Sequence, residues 1–100
     1  MSISTNSNEK GLSIVLAERF DFGEVDRFRR CYESVKVPKG KSVKIDFKNT
    51  RYIDSSALGM LINAKDYLGG SEVKIKLVNA NEQIKKIFSI SRFDMKFDIE

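Results

Sequence analysis

The 100-residue sequence contains no histidine and no tryptophan, one cysteine and one proline. Without histidine it lacks the commonest general base, the commonest zinc ligand and every Ser-His or Cys-His nucleophile pair. Hydrolase and metalloenzyme chemistry are disfavoured before any motif is read. A lone Cys31 cannot form an intramolecular disulfide, which points to a reducing compartment. No run approaches the roughly 20 apolar residues of a spanning helix. The polar start, MSISTNSNEKG, has no apolar core of a signal peptide. A cytoplasmic protein with no membrane association is expected. Walker-type and GxGxxG patterns are also missing, so nucleotide hydrolysis has no support, and neither an enzyme nor a cofactor is expected.

What is present is one domain's worth of chain, 1–100, 41% apolar and 32% charged. Such a length buries about two-thirds of its unfolded surface, enough for one modest core. The net charge of +4 is unevenly spread. Residues 27–51 hold nine Lys/Arg (Arg27, Arg29, Arg30, Lys36, Lys39, Lys41, Lys44, Lys48, Arg51) against Glu33 and Asp46, so that segment is +7 and the rest −3. A basic segment can be a nucleic-acid footprint. Here the cations alternate with core positions and no aromatic platform lies among them. A solvated face, able to steer an acidic partner, is the better reading, and nucleic acid is not an expected partner.

Hydrophobic periodicity alternates between two and 3.6. Residues 12–17 read as a strand, with Leu12, Ile14 and Leu16 on one face and a hairpin partner near Ile3–Ser7. Residues 22–35 read as a helix with the stripe Phe22, Val25, Phe28, Tyr32 and Val35, capped by Asp21 with Glu24 three residues on. Residues 43–48 alternate, with Val43, Ile45 and Phe47 inward and Lys44, Asp46 and Lys48 outward. A second helix over 56–68 ends at Gly69-Gly70. Residues 72–78 alternate again. A third helix starts near Glu82, capped by Asn79, with the stripe Ile84, Ile87 and Phe88. The tail from Phe93 reads as a strand with Phe93, Met95, Phe97 and Ile99 inward.

The order is β-β-α-β-α-β-α-β, an α/β fold with a mixed, mostly parallel sheet. Alternating strands, unlike doubly buried ones, imply helices on one face only and a solvated second face. That face carries Lys44, Asp46, Lys48, Lys74, Lys76, Lys96 and Asp98.

The informative segment is Tyr52-Ile53-Asp54-Ser55-Ser56-Ala57-Leu58-Gly59-Met60, where a strand turns into the second helix. Asp and Ser there fit two readings. One is an N-cap that accepts hydrogen bonds from free helical N–H groups. The other is a phosphate position, since a helix N-terminus offers donors and partial positive charge. In the helix, Ala57, Leu61, Ala64 and Leu68 face the sheet. Leu58, Met60, Ile62 and Tyr67 widen the apolar arc, either against neighbouring helices or as an exposed docking patch, with Met60 foremost among the exposed. Cys31, beside Tyr32, reads as a small, partly buried hydrophobe.

The stretch Ile53-Asp54-Ser55-Ser56-Ala57-Leu58-Gly59-Met60, following Val43-Lys44-Ile45-Asp46-Phe47 by a short loop, resembles the STAS family, which includes the anti-sigma factor antagonists. The likeness extends over nearly the whole chain in element order. It implies a two-layer STAS fold and a phosphorylation-switched binding protein. By it, Ser55 is the phospho-acceptor and Ser56 the neighbouring alternative. Asp21, Asp54, Ser56, Leu58, Gly59 and Met60 are the partner-binding set. The implied partners are an anti-sigma factor acting as a GHKL-type serine kinase and a PP2C-type phosphatase. Ala57 and Glu18 stand where many members have glycine. Rival readings are a STAS module of a lipid-transport complex or other non-sigma system, and a basic nucleic-acid-binding protein.

Overall fold

The computed structural model describes residues 3–8, 11–33, 42–68 and 73–100. Five strands form the main sheet in the order β1-β2-β4-β6-β7: β1 Ser4–Asn8, β2 Gly11–Val15, β4 Ser42–Asp46, β6 Lys74–Val78 and β7 Asp98–Ile99. β1 and β2 pair antiparallel, and every other pairing is parallel. Two short strands, β3 Arg19–Phe20 and β5 Tyr52–Ile53, form a second, parallel ribbon that periodicity alone did not foretell. The helices are α1 Val25–Glu33, α2 Ser55–Tyr67 and α3 Glu82–Ile90.

The sheet is one-sided, as alternation requires. Leu12, Ile14, Val43, Ile45, Ile75 and Leu77 are buried under the helices. Lys44 and Lys74 are exposed opposite them. The parallel register sets Gly11 against Ser42. Gly11 has φ +139°, and a Cβ there would lie 1.8 Å from the Ser42 carbonyl oxygen, so only glycine lets β2 and β4 close at this end.

Aromatic rings run through the core from α1 to the tail. Phe28 meets Phe20 at 4.9 Å between centroids, Phe20 meets Phe47 at 6.3 Å, and Phe47 meets Phe88 at 5.4 Å, each edge to face. Phe88 stacks on Phe93 at 5.7 Å, and Phe93 contacts Phe97 at 5.2 Å. Such pairs add about 0.5–1.5 kcal/mol each beyond area burial.

Several expectations need correction. The first helix opens as a 3-10 turn, Phe22–Glu24, and the α-helical period begins only at Val25. Phe22 therefore leaves the stripe and is 69% exposed, while Phe28 and Tyr32 are buried; Val35 lies outside the described residues. Asp46 is not solvated. It is buried at the end of β4, where Oδ1 accepts from the Lys48 N–H at 2.9 Å and from Asn79 Nδ2 at 3.0 Å. Asn79 serves that contact at φ 61°, and the cap of α3 is Asn81, which accepts from the Ile84 N–H at 2.8 Å. The tail is a strand only at Asp98–Ile99. Arg92, at φ 58°, ends α3, and Phe93–Met95 form another 3-10 turn that throws Met95 to 79% exposure.

Candidate functional site

The ribbon β3–β5 places two helix starts side by side. Its register pairs Arg19 with Tyr52 and Phe20 with Ile53. The next residue of each strand is an aspartate, Asp21 and Asp54, and each caps the helical turn that follows it. Asp21 Oδ1 accepts from the Gly23 N–H at 3.0 Å, and Asp54 Oδ1 accepts from the Ala57 N–H at 3.1 Å. Both residues have extended backbone, as capping residues do.

The loop from β4 to β5 is fixed by polar contacts to the segment after β2. The buried Thr50 hydroxyl donates to the Ala17 carbonyl at 2.8 Å. The Arg51 and Tyr52 N–H groups both donate to the Glu18 carbonyl, at 2.8 and 3.2 Å. Asp46 pins the start of the same loop. Glu18 engages the loop through its backbone, and its exposed side chain lines a shallow cleft of about 320 Å³ with Lys48, Asn49 and Arg51.

The two serines differ. Ser56 is half-buried, and its Oγ donates to Asp54 Oδ1 at 2.6 Å. Ser55 is the first residue of α2, is exposed, and its hydroxyl meets no hydrogen-bond partner among the described residues. The Ser56 hydroxyl is the main reason the Asp54 carboxyl is held below the usual carboxylate range. The main-chain N–H groups of Ala57, Phe22 and Ser56 add to this, and partial burial opposes it. Asp54 is therefore a fixed anion beside a free hydroxyl.

On α2, Ser55, Leu58, Gly59 and Ile62 share one face at helical spacing. Leu58 and Ile62 are half-buried, and Gly59 is exposed with open space beyond its Cα. Met60, expected at the surface, is 5% exposed and packs with Ala57, Leu61 and Ala64 in the core. It lies two residues from Leu58 and one from Gly59, so it falls on the opposite side of the helix. The structure adds two aromatics that the sequence reading missed. Phe22 is exposed, and Tyr52 is 45% exposed with the Arg19 guanidinium 4.7 Å from its ring centroid. A phenylalanine immediately after a capping Asp was the available signal. Cys31 is half-buried, and burial first, then the Glu24 charge, push its thiol pKa up, which disfavours the reactive thiolate.

The basic residues of 27–51 are spread over α1, β4 and the following loop. Arg27 pairs with Glu24 at 3.4 Å and Arg29 with Asp26 at 3.1 Å; residues 34–41 lie outside the described set. No helix of the described residues is long and apolar enough to cross a membrane.

A capped serine pair between a two-strand ribbon and a one-sided sheet coincides with a family model. The STAS domain model matches residues 2–100. The chain belongs to the STAS family. A STAS-domain containing protein of Pseudomonas aeruginosa is 42% identical over 88 residues, 88% of this chain and 86% of that protein. Several solved structures superpose over nearly the whole chain. An anti-sigma factor antagonist from Mycobacterium paratuberculosis has TM-score 0.78 and 12% identity, with coverage of 97% of this chain and 82% of that one. The Bacillus cell fate determinant SpoIIAA in its phosphorylated form has TM-score 0.71 and 16% identity, covering 98% and 90%. SpoIIAA in its unphosphorylated form gives 0.72 and 15%, covering 98% and 86%. At these identities the likeness is one of fold, the SpoIIAA-like α/β fold with a mostly parallel sheet and three helices.

Proposed function

We propose that this chain is a phosphorylation-switched binding protein of the anti-sigma factor antagonist type, a single cytoplasmic STAS domain with no catalytic step of its own. In this reading the unmodified form binds an anti-sigma factor that is also a GHKL-type serine kinase, and so frees that protein's target. The kinase transfers the γ-phosphoryl group of its ATP to Ser55 Oγ, and the hydroxyl proton leaves to a base on the kinase. A PP2C-type phosphatase restores the serine. Asp21, Asp54, Ser56, Leu58 and Gly59 form the contact surface, with Phe22 and Tyr52 beside them, and Met60 supports it from within.

The observation that carries the reading is the difference between the serines. Ser55 is exposed at the helix start and without a hydrogen-bond partner among the described residues, whereas the Ser56 proton is committed to Asp54. A phosphate adds about −1.5 to −2 charges. At the α2 N-terminus that charge is tolerated by the helix dipole, so the fold persists. Beside Asp54 and Asp21 it opposes any partner surface that already accommodates two carboxylates. The two SpoIIAA structures lend support, since one fold carries both the phosphorylated and the unphosphorylated form of that protein.

The test pairs Ser55→Asp and Ser55→Ala with candidate kinases from the same genome. Ser55→Asp should keep the circular dichroism spectrum of the parent and bind the kinase at least about tenfold more weakly, a change of 1.4 kcal/mol. Ser55→Ala should bind and resist phosphorylation. Undiminished binding by Ser55→Asp would sink the switch and favour a STAS module that serves a non-sigma system without phosphorylation.

A further inference from the structure

The two edges of the main sheet are built differently. At one edge, β7 is two residues long and is flanked by charge pairs: Lys74 Nζ lies 3.2 Å from Asp98 Oδ2, and Lys76 Nζ lies 3.6 Å from Glu100 Oε2. A short strand and charged side chains both keep an edge from recruiting another chain. At the other edge, β1 has neither protection. Its five residues, Ser4-Thr5-Asn6-Ser7-Asn8, carry no charge and no proline, and they pair with β2 residue for residue without a bulge. No strand among the described residues meets its outer side.

The helical layer does not shelter this edge. Thr5 lies opposite Ile14, whose side chain is buried beneath the helices, yet Thr5 is exposed, as are Ser4 and Asn6. A regular strand with a free row of N–H and C=O groups is a template for one more strand.

We propose that this edge is occupied by β1 of a second copy of the chain, antiparallel about a two-fold axis at Asn6, so that two sheets join into one across a dimer. The sequence of β1 favours a copy over a foreign strand. About Asn6 the strand complements itself: Thr5 comes opposite Ser7, Ser4 opposite Asn8, and Asn6 opposite its own counterpart. Each pair joins small neutral residues with hydrogen-bonding side chains, and no like charges meet. An isologous two-fold contact demands such self-complementarity. A foreign strand would find on β1 neither a charge nor an apolar pocket to select it. The contact is mostly main chain and small, so the association is weak and concentration-dependent.

Sedimentation of the full chain over a micromolar to millimolar series tests this, with Asn6→Lys, Asn6→Asp and an equimolar mixture of the two. Asn6 is exposed, so both variants should keep the parent's thermal melt. The parent should self-associate, each variant should do so about fivefold or more weakly through like charges facing at the axis, and the mixture should recover association. A parent that stays monomeric into the millimolar range overturns the proposal. A parent dimer that Asn6→Lys leaves intact also overturns it and moves the contact elsewhere, as to the exposed Ile90 and Met95. Failure of the mixture to recover association removes the two-fold register.

Discussion

Ser56 Oγ donates to Asp54 Oδ1 at 2.6 Å, and this bond divides the labour of two adjacent serines. A hydroxyl committed to the carboxylate that also holds the Ala57 N–H cannot turn outward without giving up its own bond to that carboxylate. Ser55 has no such duty. Phosphate incorporation read by mass spectrometry should thus vanish in Ser55→Ala and persist in Ser56→Ala. Ser56→Ala should instead lower stability by about 1–2 kcal/mol, the range for a lost hydrogen bond to a charged cap. Phosphate found on Ser56 in the parent would reverse the assignment.

The same bond makes stability depend on pH. The Asp54 carboxyl is held below its usual range in the folded chain, so folding favours the ionised form. Its contribution is fully present above the unfolded pKa and is lost as pH falls through the lowered folded value. The urea midpoint should decline on acidification below the ordinary carboxylate range. Asp54→Asn retains a capping oxygen but no titration, and should flatten the part of the decline that Asp54 contributes. Ser56→Ala removes the largest cause of the shift and should bring the Asp54 pKa, followed by NMR, back toward its usual range. An unchanged Asp54 titration in Ser56→Ala would show that the backbone donors alone set it.

Gly11 is a purely steric requirement. A methyl group there would sit inside the van der Waals radius of the Ser42 carbonyl, at a φ that L-residues rarely adopt. Gly11→Ala should therefore cost about 2–4 kcal/mol, read as a lower urea midpoint with little change in m-value. A loss below about 0.5 kcal/mol would mean that β2 and β4 part at this end.

How much of this was legible beforehand follows from where local rules prevail. The sheet cores at Val43 to Phe47 and Val73 to Leu77 were readable because alternation and burial coincide there. The cap at Asp54 and the start of α2 were readable because capping chemistry is local. Asp46 was not, because its side-chain hydrogen-bond partner Asn79 lies 33 residues away. The ribbon β3–β5 was illegible because two-residue strands have no period. The tail from Phe93 to Met95 alternates like a strand, yet an αL residue at Arg92 sends it into a turn before it reaches β6. Met60 looked like a surface residue because Met suits adaptable contacts, but its angular position on α2 faces the core.

Phe20 and Phe22 offer the cleanest separation of fold from function. They lie two residues apart, flanking Asp21, yet Phe20 is fully buried between Phe28 and Phe47, and Phe22 stands in solvent. Phe20→Ala removes a ring that links α1 to the end of β4, and should cost about 3–5 kcal/mol. Phe22→Ala removes nothing from the core and should change stability by less than about 0.5 kcal/mol. Exposed aromatics beside a small polar site are the usual anchors of protein interfaces, so the second variant should weaken capture of the kinase partner by about tenfold while the fold stays intact. Titration calorimetry with the kinase, alongside urea unfolding of both variants, reads the two effects independently. Equal binding by Phe22→Ala and the parent would confine the contact surface to α2, and a large stability loss in Phe22→Ala would place its ring in the core after all.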